Sequence, residues 1–211
     1  MTIRLHRGDL PDLSAPEMAA YAKATSVAVD TETLGLKPHR DRLCVVQLSA
    51  GDGSADVVQI AAGQQEAPNL AKLLSDPART VIFHFARFDV AVLSHALGID
   101  CRPVWCTKIA SKLTRTYTDR HGLKDLVREL LGAEISKQQQ SSDWAAETLS
   151  EAQLAYAASD VLYLHALREK LQERLVREDR TAIAEACFAF LPTRARLDLA
   201  GWDDTDIFAH S

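Results

Sequence analysis

The sequence predicts a mixed α/β domain with one main sheet and a helical C-terminal half. Two observations carry that prediction. Strand-like runs crowd positions 3–60, strand and helix patterns alternate to about position 97, and helical periodicity dominates the rest. Within the first group, Val27 and Val29 alternate with small residues as a buried strand does, and the run ends on two acids, Asp30 and Glu32.

In chain order, residues 3–6 read as a short opening strand, followed by a turn at 8–11. Residues 15–24 are good helix formers, with Ser14 as N-cap and Pro16 early in the helix, where a missing N–H is tolerated. The strand at 27–31 follows, then a turn at 34–38 and a strand at 43–49. Gly51, Asp52, Gly53 and Ser54 close a hairpin into a strand at 55–60, so three consecutive strands form a meander. A helix at 68–74 ends at Asp76 and Pro77, a strand spans 80–84, and a helix at 88–97 stops at Gly98. Helices are then expected at 107–113 and at 123–131, the second closed by Gly132, with a polar loop at 138–142. One long helical run extends from 149 to about 178 with Ser150 as N-cap, and a last helix at 180–190 ends at Pro192. The acidic stretch 201–208 has no evident place in this scheme and reads as an oligomer contact or a disordered end.

Composition bounds the function. A chain of 211 residues, 47% hydrophobic and 25% charged, fits one globular domain with a modest appendage. No apolar run reaches the length of a membrane span and the first residues do not open a signal peptide, so a cytoplasmic protein without a membrane partner is expected. The four cysteines show no C-x-x-C spacing and read as reduced thiols or core filler. A net charge of −5 argues against a broad basic surface for long nucleic acid, but not against a local pocket that grips a few phosphates.

Asp30 and Glu32 lie two apart in a strand, so both carboxylates face one side. Two such charges repel by roughly 4 kcal/mol at 4 Å and an effective dielectric near 20. A divalent cation with oxygen ligands would offset that cost; the simpler alternative is a strand running into solvent with both acids hydrated. Asp89 falls in the first turn of the helix that follows the 80–84 strand, where the helix dipole favours its charge; taken alone, plain capping is the simpler explanation. Tyr156 and Asp160 share a helix face at i, i+4; core packing of the tyrosine beside a solvated aspartate explains that spacing as well.

Taken together and in this order, V-x-V-D-T-E, H-F-A-R-F-D and Y-x-x-x-D resemble the motifs of the DEDDy 3′–5′ exonucleases. Cys106 to Ala110, and Gly122 to Val127 through Trp144, are similar to the ribonuclease D catalytic domain. The resemblance is fullest to the stand-alone nanoRNase C (NrnC) group, whose likeness includes the G-W-D-D-T-D-I-F tail. It implies an RNase H-like (DEDD exonuclease) fold, a mixed five-stranded sheet flanked by helices. It also implies a single exonuclease domain over 1–211, with a core to about 195 and a tail at 196–211, and no HRDC domain. Asp30, Glu32, Asp89 and Asp160 would hold two divalent cations, Mg²⁺ or Mn²⁺, and Tyr156 would position the attacking water. The implied substrate is very short single-stranded RNA, chiefly dinucleotides, cleaved to mononucleoside 5′-monophosphates, and the implied assembly is a homo-oligomer, an octameric ring.

The chemistry suits the residue types independently. Paired metals supply a nucleophile near neutral pH and a clamp on the attacking and leaving oxygens, and hard carboxylate ligands suit Mg²⁺ or Mn²⁺. For the substrate, Leu34 could wedge against a base and His84 and Phe85 could line a stacking pocket. Lys108, Arg115, Tyr117, His121, Lys137, Gln138, Gln140 and Ser142 form a pool from which a cap on the 5′ end of a dinucleotide would be drawn. The competing readings are a general ribonuclease D-like exonuclease on longer RNA or DNA, a catalytically silent RNA-binding scaffold, and an unrelated metal-binding phosphatase.

Overall fold

The computed structural model describes residues 2–136 and 138–210. Its strands are β1 (Thr2–Arg7), β2 (Ser26–Thr33), β3 (Leu43–Ser49), β4 (Ser54–Gln59), β5 (Thr80–Phe83) and β6 (Val104–Cys106). They form one mixed sheet in the order β1-β4-β3-β2-β5-β6. The expected meander is present: β2, β3 and β4 run antiparallel in sequence. β1 joins β4 in parallel, and β5 and β6 extend the other side in parallel from β2. β3 is buried at every position, which is why it reads as a near-continuous apolar run.

The helices are α1 (Ala19–Lys23), α2 (Pro68–Leu74), α3 (Ala86–Leu97), α4 (Thr107–Thr114), α5 (Leu123–Leu126), α6 (Glu151–Leu162), α7 (Leu164–Arg177) and α8 (Thr181–Leu197). α6 lies along β1 to β4, while α3 packs against β2, β3, β5 and β6. Ser150 starts α6 with a capping box: its hydroxyl accepts from the Gln153 N–H at 3.2 Å, and Gln153 Oε1 accepts from the Ser150 N–H at 3.0 Å. Such a box typically stabilises a helix start by ~1 kcal/mol, and here it fixes the helix that carries Tyr156 and Asp160.

Four expectations are corrected. The sheet has six strands rather than five, because Val104–Cys106 pairs with β5 although three residues are too short to show a period. The long run from 149 is two helices that meet at Tyr163. α6 buries Ala157, Ala158 and Val161, whereas α7 turns Leu164, Leu167, Leu171 and Leu175 inward along a different line. The last helix passes through Pro192 to Leu197; Phe188, Leu191 and Ala195 are buried around it and offset the one backbone bond that proline cannot make. Residues 15–24 form only a 3₁₀ turn, Pro16–Met18, followed by α1, and Ser14 does not cap it because its hydroxyl donates to Asp12.

The acidic stretch is held against the body of the domain. Asp198 accepts from Arg87 of α3 and Arg194 of α8, Lys37 pairs with Asp203 at 2.8 Å, and the Phe190 and Phe208 rings lie 5.9 Å apart. Among the described residues no helix is long and apolar enough to cross a membrane.

Candidate active site

The central strand β2 delivers two carboxylates to the end of the sheet, and two helices bring the others. Asp30, Glu32 and Asp160 of α6 each offer an oxygen, and these atoms lie within 4.8 Å of one another. Thr31, between the two acids, points the other way by strand alternation. Its hydroxyl donates to Asp89 Oδ1 of α3 at 2.7 Å, so Asp89 reaches the site from the opposite side of the sheet. Asp160 is 8% exposed and Asp89 3%. On β3, Gln47 Nε2 donates to Asp30 Oδ2 at 2.7 Å.

The electrostatics follow from this crowding. Burial first, then repulsion from Asp89, Asp160 and Glu32, raises the Asp30 carboxyl well above the usual range. Burial, with Asp160 and Asp89 adding to it, pushes Glu32 up to about 9. Burial lifts Asp89 to about 7 even though the Thr31 hydrogen bond favours its charge. The Tyr156 phenol is raised as well, by burial and by its neighbours Asp160 and Glu32, and it keeps its proton at neutral pH. Three carboxyls and a phenol driven upward beside Asp160 form a site short of positive charge. Oxygen-only donors at this spacing fit a hard divalent cation.

Asp30, Glu32, Tyr156 and Asp160 line a cleft of about 630 Å³, the size of an ordinary ligand pocket, whereas Asp89 lies outside that lining, hydrogen-bonded to Thr31. Of the residues singled out in the sequence, Asp30, Glu32, Leu34, His84, Phe85, Lys108, Gln140, Ser142, Tyr156 and Asp160 line it. Phe85 sits at the junction of β5 and α3 with φ 72°, a left-handed conformation that is rare for a bulky side chain. The Lys108 ammonium lies 4.4 Å from the centre of the Phe85 ring, and His84 Nδ1 is 2.9 Å from the Thr107 hydroxyl.

Five residues of the expected substrate cap are not brought to the cleft or fall outside description. Arg115 is fully buried and binds Glu129, the Arg120 carbonyl and Ser111. Tyr117 donates to Glu129 and accepts from Arg174, and His121 pairs with the Ser111 hydroxyl at 2.9 Å. These three build the α4–α5 connection. Gln138 is exposed and does not line the cleft, and Lys137 lies outside the described residues.

The cleft also has walls that the motifs did not indicate. Leu36 is 79% exposed beside Leu34, and Trp144 backs Tyr156 with ring centroids 5.9 Å apart. The turn bearing the two leucines is set by Gly35, where a Cβ would come within 2.3 Å of Asp41 Oδ2. Asp41 in turn accepts from the Lys37 N–H at 2.9 Å, which closes the turn. The L-G-L pattern, two apolar residues around a glycine at the end of an acidic strand, was the available signal.

Residues 12–176 match the model of a 3′–5′ exonuclease family. Ribonuclease D from Acidiphilium cryptum (strain JF-5) is 39% identical over 154 residues, which cover 73% of this chain and 39% of that protein. The chain thus spans about two fifths of the length of that curated relative. Two solved structures match along the whole of both chains. Brucella melitensis NrnC with bound Mg²⁺ is 66% identical with a TM-score of 0.94, and Brucella melitensis NrnC bound to pGG is 67% identical with a TM-score of 0.95. The acidic motifs, the mixed sheet and the full-length match agree: the chain belongs to the 3′–5′ exonuclease family, with an RNase H-like fold, on its NrnC branch.

Proposed function

We propose that this chain is a metal-dependent 3′–5′ exoribonuclease that hydrolyses very short RNA, chiefly dinucleotides, to mononucleoside 5′-monophosphates. The observation that carries the reading is the trio Asp30, Glu32 and Asp160, with oxygens within 4.8 Å of one another at the floor of a cleft. These three would hold one divalent cation, Mg²⁺ or Mn²⁺, and Asp30 with Asp89 a second. When bound, the cations make water nucleophilic near neutral pH and neutralise charge on the attacking and leaving oxygens.

The chain's own residues supply the rest. The raised pKa of Tyr156 keeps its phenol protonated at neutral pH, so it acts as a neutral hydrogen-bonding group that orients the attacking water. Water adds to phosphorus as the P–O3′ bond breaks, releasing one mononucleoside 5′-monophosphate and a 3′-hydroxyl. Phe85 and Leu34 offer apolar surface to the bases, and Lys108, Gln140 and Ser142 offer polar contacts to the 5′ end. Support for a two-nucleotide substrate comes from the NrnC relative bound to pGG, 67% identical over its whole length. The reading extends to a cytoplasmic homo-oligomer, the ring of eight that the family resemblance implies, for which exposed Val176, Ile183, Phe190 and Phe208 supply apolar surface.

The test is a time course on a 5′-labelled RNA dinucleotide and a 5′-labelled heptamer with Mg²⁺, with and without chelator, beside Asp160→Asn. The expected result is fast cleavage of the dinucleotide, lost with the metal or with Asp160. Equal processing of the heptamer would replace the dinucleotide preference with general exonuclease activity, and no cleavage of either would overturn the enzyme reading.

A further inference from the structure

We infer that Gln47 is a positioning residue, which holds the Asp30 carboxylate in the orientation that receives the divalent cation. The inference rests on the metal site proposed above and adds a residue from a strand that carries none of the acidic motifs.

Gln47 and Asp30 are direct cross-strand partners in the β2–β3 ladder, on the same face of the sheet. Its other cross-strand partner is Val57 of β4, and the neighbouring same-face position on β3 is Val45, which stands opposite Glu32. Val45 and Val57 pack with Ala157, Trp144 and Leu149 in an apolar cluster. Gln47 therefore occupies a position where an aliphatic side chain would fit its surroundings. It is 0% exposed. Its amide makes one contact to a neighbouring side chain, the 2.7 Å bond from Nε2 to Asp30 Oδ2, and Oε1 finds no hydrogen-bond partner among the described residues.

A buried amide with an orphaned oxygen is unfavourable for folding, and buried polar groups without partners are few in native proteins. Ser49, the other polar side chain on β3, shows the ordinary arrangement, donating to the Ser54 carbonyl at 2.7 Å. The amide orientation suits the metal-binding form of its partner: an ionised carboxylate only accepts, so the NH₂ must face Asp30 and the oxygen is left over. The bond engages one carboxylate oxygen and leaves acceptor capacity on the other for a cation. Groups that orient a metal-binding carboxylate in this way commonly contribute 10–100-fold to metal affinity. A residue retained for folding would be missed when deleted. One retained for the metal would be missed only when the metal is added.

Gln47→Met, close in volume and without a donor, and Gln47→Leu, a second apolar variant, separate these cases. Mg²⁺ binding to the intact protein is measured by isothermal titration calorimetry, and thermal unfolding is followed in EDTA. The expected result is a Mg²⁺ dissociation constant raised roughly 10–100-fold in both variants, with an unfolding midpoint in EDTA equal to or above that of the wild type. The apparent Mg²⁺ requirement of dinucleotide cleavage should rise in parallel, while kcat at saturating Mg²⁺ falls less. Unchanged Mg²⁺ affinity in folded variants overturns the inference, as does a marked loss of stability in EDTA, which would make Gln47 a folding residue. A wild-type protein that binds no Mg²⁺ would overturn the metal site itself, an outcome distinct from wild-type binding that the variants match.

Discussion

Thr31 Oγ1 and Asp89 Oδ1 are joined by a buried 2.7 Å hydrogen bond that ties the strand carrying two site acids to the helix carrying another. The bond favours the charged form of a carboxylate that burial would otherwise neutralise. Thr31→Val keeps the shape and deletes the donor. At pH 8 and in EDTA this variant should lose roughly 1.5–3 kcal/mol in urea unfolding, the range for a hydrogen bond to a charged group. At pH 5, where Asp89 is protonated in the folded protein, the loss should shrink. A pH-independent loss would mean that the hydroxyl matters to packing alone.

The same acids predict how metal-free stability depends on pH. In the folded protein Glu32 is pushed up to about 9 from 4.5, Asp89 to about 7 from 3.8, and Asp30 is raised too. Between the unfolded and folded values the folded state binds more protons than the unfolded chain. The stability these groups contribute is therefore complete below the unfolded values and is lost as pH rises through about 7 and then about 9. Asp56 works in another window: although burial opposes it, hydrogen bonds from Arg4, His6 and Tyr21 hold its carboxyl at about 2, so its contribution is lost only in acid. Melting in EDTA should accordingly fall from pH 6 to pH 9. Mg²⁺ should raise the midpoint more at pH 9 than at pH 6, because the cation binds the ionised form. A flat profile in EDTA would show that the cluster is balanced by protein charge.

How much of this was legible depended on whether a pattern was local. Asp30 and Glu32 could be paired from the two-residue strand period, and Tyr156 and Asp160 from the helical one, because each period fixes a face without reference to the rest of the chain. The polar cap could not be read this way. Arg115 sits on a helix end with no local signal that its guanidinium turns inward to Glu129, fourteen positions on, rather than outward to a substrate. Gln47 gives no local signal for the opposite reason: within L-C-V-V-Q-L-S it is one polar residue in a buried strand, and only the register across to Asp30 sets it beside the site. β6 is illegible because three residues hold no period, and so is the joint at Tyr163, because both helices are locally helical while their buried lines differ.

Phe85 adopts φ 72° and ψ 45° at the mouth of the cleft, 44% exposed, with Lys108 over its ring. A left-handed aromatic residue carries strain of order 1–3 kcal/mol, which persists where a constrained geometry is useful. Phe85→Gly removes that strain but frees the unfolded chain, and the two effects oppose each other at about 1 kcal/mol each. Stability should thus stay within ~1 kcal/mol of wild type. The ring itself would be lost to the bases, and KM for a dinucleotide should rise roughly tenfold, within the ~1–3 kcal/mol range for base–aromatic stacking. An unchanged KM would remove Phe85 from substrate binding.

Asp198 supports the site from behind. It accepts from Arg87 Nε at 2.6 Å and Nη2 at 2.7 Å, and from Arg194 Nε at 2.8 Å, while Arg87 Nη2 also donates to the Asp203 carbonyl at 2.6 Å. Arg87 is two residues before Asp89, so this paired fork fixes the first turn of α3 as well as the acidic stretch. Asp198→Asn keeps the size but loses the charge and one acceptor oxygen, and it should cost roughly 1.5–3 kcal/mol in urea unfolding. The pair Lys37–Asp203 ties the same stretch to the turn after β2 but is more than a third exposed on both sides, at 58% and 40%. Asp203→Asn should therefore cost less than Asp198→Asn, because solvent screens an exposed pair. Limited proteolysis should follow the same order, with early cleavage in the 198–208 stretch for Asp198→Asn and a near-wild-type pattern for Asp203→Asn. Equal protection in both variants would mean that the aromatic contact of Phe190 with Phe208, rather than the Asp198 fork, holds the stretch in place.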